Sequence, residues 1–226
     1  MVKPRTLVFD MDGVLVDVGE SYRETIVQTV KHFSGKAISR DLIQDYKNQG
    51  GWNNDWALSQ RIVQDLGVTV VYQAVVDQFN RLWMGHDGAE GLVAREQWIP
   101  APGLLERLAE RYRLAIFTGR MHWEADITLG RFARGVPFAP VICAEDVESP
   151  KPAPDGLQKI NETNPTELLY FGDVVDDARA SRAAGVPFVG VAATHHPRRD
   201  TVLGQFRQEG AVAVIEDINQ IEEVLG

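Results

Sequence analysis

The sequence has a single cysteine, Cys143, and can therefore form neither an intrachain disulfide nor a multi-cysteine zinc site. Because Cys143 lies in the apolar run PVICAEDV, we expect a small buried side chain and not a reactive thiol. No stretch approaches the roughly 18 to 20 consecutive apolar residues that a membrane span requires. The N-terminal positions that would be apolar in a signal peptide carry charges. These absences predict a cytoplasmic protein with no membrane partner.

The sequence also has no block of lysine and arginine. Its 32 acidic and 23 basic residues give a net charge of -9, so we expect no nucleic-acid partner. The G-x-S-x-G elbow, the phosphate-binding P-loop and the dinucleotide fingerprint are all missing. Composition therefore leaves an acidic globular protein whose chemistry must come from other motifs.

Strands and helices alternate through most of the chain. Thr6 to Phe9 reads as a buried strand that stops at Asp10. The segment from Ser21 to Trp83 has helical periodicity throughout. From Pro102 onward, helical and strand patterns take turns until a final helix, with a polar loop expected over residues 195–200 before the last strand, AVAVIED.

This alternation predicts an α/β fold, because parallel strands need a crossover connection each time. We expect a doubly wound, Rossmann-like parallel sheet formed by residues 1–17 and 99–226. Residues 18–98 are then an inserted all-helical cap domain, which leaves the sheet at the edge where ligands usually bind. The natural role of such an insertion is a lid.

Polar residues follow four of the predicted core segments: the pair Asp10 and Asp12, then Thr118, Lys151 and Asp173. Each has a plain structural interpretation when taken alone. VFDMDGVLV could be a hairpin, FTGR a glycine turn that ends a strand, and Lys151 an exposed loop lysine. FGDVVDD could be a helix start, where acidic residues suit the helix dipole.

Together, and in this order, the four segments resemble the motifs of the haloacid dehalogenase superfamily. The first is DMDGV, the second Thr118 after LAIF, the third Lys151 within SPKPAPDG, and the fourth GDVVDDARASRAAG. The helical insertion between the first two motifs resembles the cap of the phosphoglycolate phosphatase and β-phosphoglucomutase branch. The resemblance covers nearly the whole chain.

The resemblance implies a phosphohydrolase in which Asp10 attacks phosphorus and forms an aspartyl-phosphate, while Asp12 donates a proton to the leaving group. Thr118, Gly119 and Lys151 would bind the phosphate. Dehalogenases and phosphonate-cleaving members replace the second aspartate of the first motif, so Asp12 argues against both.

The same resemblance implies a magnesium cofactor. Mg²⁺ prefers oxygen ligands, and Asp10, Asp173 and the backbone carbonyl of Asp12 would supply them. Asp177, four residues after Asp173, would act through a metal-bound water. Asp176 is either a further carboxylate near the metal or a residue that suits the start of a helix.

Two sequence features leave alternatives open. The second motif reads Thr-Gly-Arg where many relatives have asparagine in the middle, and Arg120 is a candidate phosphate contact only. In the insertion, Gly51, Trp52, Asn53 and Asn54 could form a loop that contacts the substrate. Equally, they could cap and pack against the helix that begins near Trp56.

The predicted activity is hydrolysis of a small phosphorylated metabolite, such as phosphoglycolate or a sugar phosphate, by a monomer or a homodimer. One alternative is a phosphomutase of the β-phosphoglucomutase type, which would use the same core residues. Another, from a different class, is a non-catalytic binding protein on the same fold.

Overall fold

The computed structural model describes residues 5–163, 165–194, 196 and 198–226. The chain divides into two compact units: a core unit, Met1–Val16 with Trp98–Gly226, and a helical unit, Asp17–Gln97. Each division falls one residue before the boundary expected from the sequence. Over the described residues, no helix combines the length and the apolar character that crossing a membrane would need.

Short strands and helices make up both units. The strands in the described part of the chain are β1 (Thr6–Phe9), β2 (Val16–Asp17), β3 (Gly85–His86), β4 (Ala89–Glu90), β5 (Gln97–Trp98), β6 (Arg113–Phe117), β7 (Phe138–Ile142), β8 (Leu168–Gly172), β9 (Phe188–Val191) and β10 (Ala213–Ile215). The α-helices are α1 (Tyr22–Ser34), α2 (Arg40–Gln49), α3 (Asp55–Asp65), α4 (Tyr72–Met84), α5 (Leu104–Ala109), α6 (His122–Phe132), α7 (Asp155–Thr163), α8 (Val175–Ala184), α9 (Arg199–Gln208) and α10 (Ile221–Leu225).

Six strands of the core unit form one parallel sheet in the order β10-β9-β8-β1-β6-β7. The chain starts in the middle at β1, proceeds to the edge strand β7, then crosses to β8 and continues to β10. The direction of winding therefore reverses beside β1, and ligands of doubly wound sheets bind at the carboxyl ends of strands at such a point. The predicted α/β, doubly wound fold class is confirmed.

The two central strands, β1 and β8, are buried along their whole length. This is the pattern of parallel strands covered on both faces, and it explains their continuous apolar sequences. Phe9 of β1 stacks on Phe171 of β8, with ring centroids 5.3 Å apart. Burial of each such side chain stabilises the fold by about 1.5–3 kcal/mol, so the strands that precede the site are firmly held.

The helical unit packs around apolar residues spaced three or four apart on its helices. Ile26 of α1, Ile62 of α3 and Phe79 of α4 are almost completely buried. The ring of Tyr22 lies 5.1 Å from that of Trp83. One feature departs from the expected all-helical insertion: β3 and β4 form a small antiparallel pair after α4.

The polar loop predicted over residues 195–200 is wrong at its C-terminal end. His195 lies outside the described residues, but from Arg199 the expected polar loop has become helix α9. Val202 and Phe206, four residues apart, are buried on one face of this helix. Phe206 lies directly against Gly190 of β9, where a side chain would overlap its ring. Packing against the sheet thus stabilises a helix whose sequence begins with charged residues.

Candidate active site

Three adjacent strands are each followed directly by a residue that was predicted to belong to the site. Asp10 follows β1, Thr118 follows β6 and Asp173 follows β8, and β1 is paired with both other strands. Lys151 comes from the loop before α7. The alternative of a hairpin around Asp12 and Gly13 is wrong, because β1 pairs with β6 and β8 instead. The sheet order places the three strand ends at one edge.

Lys151 lies between two carboxylates. It is 4% exposed, and its Nζ is 3.0 Å from Asp10 Oδ1 and 2.8 Å from Asp177 Oδ1. The ammonium also lies 4.8 Å from the ring centroid of Phe117 and 5.5 Å from that of Tyr170. Burial alone would lower the pKa of Lys151, but the two carboxylates outweigh burial and raise it above its ordinary value. Lys151 is therefore a fixed positive charge.

The Asp10 carboxyl is held through one of its two oxygens. Oδ1 accepts a hydrogen bond from the Met11 backbone N–H at 2.8 Å and contacts Lys151, whereas Oδ2 takes part in neither interaction. The pKa of Asp10 is raised from 3.8 to about 7, and burial is the largest cause. Lys151 lowers that pKa, while the charges of Asp177 and Asp12 raise it further. Burial of the Asp10 carboxyl thus outweighs the attraction of Lys151.

Asp177 is completely buried, and both of its oxygens have partners. Oδ1 accepts from the Tyr170 hydroxyl and contacts Lys151, each at 2.8 Å. Oδ2 accepts from the backbone N–H groups of Asp173 and Val174, each at 3.1 Å. The carboxylate therefore orients Lys151 and fixes the turn after β8. This anchoring role was not evident from the sequence, and the expected contact through metal-bound water stays a prediction.

The carboxylate oxygens of Asp10, Asp173 and Asp177 lie within 4.8 Å of one another. Gly13 packs against Asp173 with φ of 74°, and a Cβ at this position would overlap the Asp173 carboxylate. The glycine of DMDGV is therefore required both by its backbone conformation and by space. All three side chains offer hard oxygen donors with excess negative charge, a set that fits a divalent cation such as Mg²⁺.

Thr118 directly follows β6, and its side chain is buried. Its backbone N–H donates to the Ile142 carbonyl at 3.0 Å, and its Oγ1 accepts from the Arg120 N–H at 3.2 Å. Gly119, between them, is exposed. The turn is tightly held at Thr118 and accessible at Gly119, which suits the predicted donation of hydrogen bonds to a phosphate.

Arg120 has a contact that the sequence analysis did not foresee. Its side chain is 2% exposed, and Nε and Nη2 lie 2.8 and 2.6 Å from Asp12 Oδ1. Nη1 donates to Thr128 Oγ1 at 2.6 Å. Sequence offered only a weak signal, an arginine directly after a strand end that already carried a site residue. Its partner lies more than a hundred positions earlier in the chain.

Asp176, the other acidic residue of the fourth motif, is buried at the start of α8. Its Oδ1 lies 3.6 Å from Arg179 Nη1, one turn later in the same helix. Its position in the first turn of α8 suits a helix N-terminus, while a role as a further carboxylate near the metal stays a prediction.

The predicted substrate segment of the insertion belongs to the helical unit. Asn54 is the N-cap of α3, with Oδ1 accepting from the Ala57 N–H at 2.9 Å. The Trp52 ring lies 6.0 Å from that of Tyr46, edge to face. Gly51 has φ of 80°. The capping and packing alternative thus has direct contacts behind it, while substrate contacts by Gly51, Trp52, Asn53 and Asn54 stay a prediction.

Cys143 follows β7 and is buried, as expected. Burial raises the pKa of its thiol to about 12, and the nearby carboxylates of Glu145 and Asp146 add to the effect. A thiol that stays protonated at neutral pH is a poor nucleophile.

A family model matches most of this chain. The model of the haloacid dehalogenase-like hydrolases matches residues 7–191. A pyrophosphatase PpaX of Anoxybacillus flavithermus is 25% identical over 193 residues, which is 84% of each protein. The fructose-1-phosphate phosphatase YqaB of Escherichia coli is 25% identical over 193 residues, covering 82% of this chain and 95% of that protein.

A further relative is longer. An imidazoleglycerol-phosphate dehydratase of Phytophthora nicotianae is 33% identical over 196 residues, which is 83% of this chain and 43% of that protein. The present chain thus corresponds to less than half of that relative.

Solved structures share the fold at low sequence identity. A predicted phosphoglycolate phosphatase from Haemophilus somnus superimposes with a TM-score of 0.77 at 18% identity, covering 100% of both chains. The phosphatase Tt82 of Thermococcus thioreducens gives a TM-score of 0.62 at 23% identity, covering 91% of this chain and 100% of that one.

Proposed function

This chain belongs to the haloacid dehalogenase-like hydrolases, and from that premise we propose a magnesium-dependent phosphatase. It hydrolyses a small phosphomonoester through an aspartyl-phosphate intermediate. The observation that carries the proposal is the buried Lys151, whose Nζ lies 3.0 Å from Asp10 Oδ1. This arrangement supplies a fixed positive charge beside a carboxylate whose second oxygen can attack phosphorus.

The first step is in-line attack by Asp10 Oδ2 on the substrate phosphorus. The bond to the leaving oxygen breaks, and that oxygen takes a proton from Asp12. Asp12 then removes a proton from the water that attacks the aspartyl-phosphate, which releases inorganic phosphate and regenerates Asp10. Lys151, the Thr118 hydroxyl and the Gly119 N–H bind the phosphoryl oxygens and offset their negative charge.

The oxygen-rich cluster that includes Asp10 and Asp173 supports a magnesium site. These two carboxylates and the Asp12 carbonyl would hold the ion, with Asp177 acting through a water. A bound Mg²⁺ would neutralise charge on the transferring phosphoryl group.

The named activities of two relatives favour a small phosphorylated substrate. YqaB is a fructose-1-phosphate phosphatase and PpaX a pyrophosphatase, and each matches more than four fifths of this chain. Substrate selection by residues 51–54 of the helical unit is part of this proposal.

The test is phosphate release from a panel of two- to six-carbon phosphate esters and pyrophosphate, with magnesium and with EDTA. We expect magnesium-dependent release, which Asp10→Asn reduces by at least about 10³-fold through loss of the nucleophile. Asp77→Asn, an exposed aspartate of α4, is the matched control and should retain full activity. Near wild-type release by Asp10→Asn would contradict the nucleophile assignment.

The same assay separates the alternatives. A phosphomutase would convert a sugar phosphate to an isomer without stoichiometric phosphate release. A binding protein would give no turnover of any ester while still showing a substrate-induced rise in melting temperature.

A further inference from the structure

The contact between Arg120 and Asp12 joins two motifs at the site. Two guanidinium nitrogens of Arg120 contact the same oxygen, Asp12 Oδ1, and the third donates to the buried hydroxyl of Thr128. The side chain of Arg120 is 2% exposed, whereas that of Asp12 is 33% exposed. The arginine is thus enclosed by protein, while the aspartate remains partly exposed to solvent.

We propose that Arg120 is a positioning residue for Asp12. The guanidinium holds Oδ1 and thereby directs the other oxygen of Asp12, Oδ2, toward the leaving group and later toward the attacking water. This inference rests on the proposed function, in which Asp12 handles both protons. It gives Arg120 a role other than the phosphate contact considered from the sequence.

The geometry favours positioning for two reasons. Arginine presents its donors in a rigid plane, so two contacts to one oxygen restrict rotation of the carboxyl group far more than a flexible lysine would. That plane is itself fixed, because Thr128 Oγ1 accepts a hydrogen bond from Nη1 and the Arg120 backbone N–H donates one to Thr118 Oγ1. A buried guanidinium without a carboxylate would also be costly, which keeps the pair together.

An arginine that binds phosphate would direct N–H groups to the phosphate oxygens and not to protein partners. Nε, Nη1 and Nη2 of Arg120 all have partners within the protein, and Lys151 already supplies a cation beside Asp10. If Arg120 acts only by positioning Asp12, replacing Arg120 slows only those steps in which Asp12 takes part. This dependence can be measured.

The measurement is kcat/KM for two kinds of ester. A 4-nitrophenyl leaving group is a weak base that departs without a proton, whereas an alkyl leaving group needs one. Because kcat/KM reports steps up to cleavage of the ester, it is independent of later hydrolysis of the phosphoenzyme. The probes are 4-nitrophenyl phosphate and the alkyl ester of the panel that wild type hydrolyses fastest.

We expect Arg120→Met to lower kcat/KM for the alkyl ester by about 10²-fold, the size of a general acid contribution, and for 4-nitrophenyl phosphate by less than about 10-fold. Arg120→Lys should recover part of the loss. Thr128→Val should give a smaller loss in the same direction. In an Asp12→Asn background, Arg120→Met should add little further loss. Arg111→Met, a change at an exposed arginine, is the control and should behave as wild type.

Three outcomes would overturn the inference: equal losses for both esters, a rise in KM alone for both, or full activity of Arg120→Met. If thermal denaturation shows that Arg120→Met does not fold, the two esters are compared with Arg120→Lys and Thr128→Val instead. Failure of the proposed function is distinguishable, because wild type would then release no phosphate from any ester.

Discussion

Polar residues gather in two regions of this molecule, the carboxyl edge of the core sheet and the segment around Asn54 in the helical unit. At the sheet edge, Lys151 and Arg120 are buried, and their carboxylate partners come from distant parts of the chain. Around Asn54 the contacts stay within the helical unit: Asn54 caps its own helix, and Asp55 pairs with Lys47 at 2.7 Å.

The difference shows how to separate functional polar residues from structural ones. A helix cap satisfies backbone groups that every helix leaves open, so it needs no further explanation. Buried charges are costly to desolvate, and replacing them by apolar residues often stabilises a protein. Their concentration at one edge therefore points to chemistry there, and the predictions below test the contrast.

The largest effect on stability is expected for Lys151→Met. Removing the ammonium leaves the Asp10 and Asp177 carboxylates buried without their shared cation, which should lower the free energy of unfolding by about 3–5 kcal/mol at pH 8. Phosphate release should fall by about 10²–10³-fold. Urea denaturation and the ester assay measure the two losses. Lys159→Met, at an exposed lysine, is the control, and equal stability of both variants would contradict a cost of leaving the two buried carboxylates without their cation.

A smaller effect, which also arises from a buried charged group, is expected for the pH dependence of the stability of Asp10→Asn. The folded pKa of Asp10, about 7, lies above its ordinary value of 3.8. The contribution of this carboxyl to stability is therefore fully present below pH 3.8 and is lost as pH rises through 7. Asp10→Asn removes that loss, so its stability relative to wild type should rise across this range by at most about 4 kcal/mol.

Urea denaturation with EDTA at pH 4.5 and pH 8 measures the change for Asp10→Asn. Asp77→Asn, on the surface of the helical unit, serves as the control because its aspartate is exposed. A stability difference between variant and wild type that is the same at both pH values would show that burial does not raise the pKa of Asp10.

The smallest effect is expected in the helical unit. Asn54→Ala removes the cap of α3 and should lower the free energy of unfolding by about 1 kcal/mol, whereas Asn54→Asp keeps a capping oxygen and should be close to neutral. Thermal denaturation measures both. The ester assay sharpens the result: a loss of kcat/KM in the stable Asn54→Asp variant would place Asn54 in contact with substrate and weaken the contrast between the regions.

Sequence patterns and tertiary packing contributed different parts of this description. The alternation of strands and helices predicted the doubly wound α/β fold, and DMDGV, Thr118, Lys151 and the fourth motif indicated the family that the comparisons confirm. Helix α9 was missed because its two buried residues, Val202 and Phe206, gain their stability from the sheet and not from local sequence. The capping by Asn54 remained one of two alternatives because a cap and a substrate loop favour the same residue types.

The sequence by itself determined which residue types stand at the strand ends, because periodicity, turn residues and motif spacing are local properties of the chain. Only the tertiary structure decided the partners. The order β8-β1-β6 places Asp10 between the ends of two strands that are far from it in sequence. That order decides that Asp177 and Asp10 share Lys151 and that Arg120 holds Asp12. Buried charges pair with whichever opposite charge the fold brings within a few ångströms, and sequence spacing carries no record of that distance.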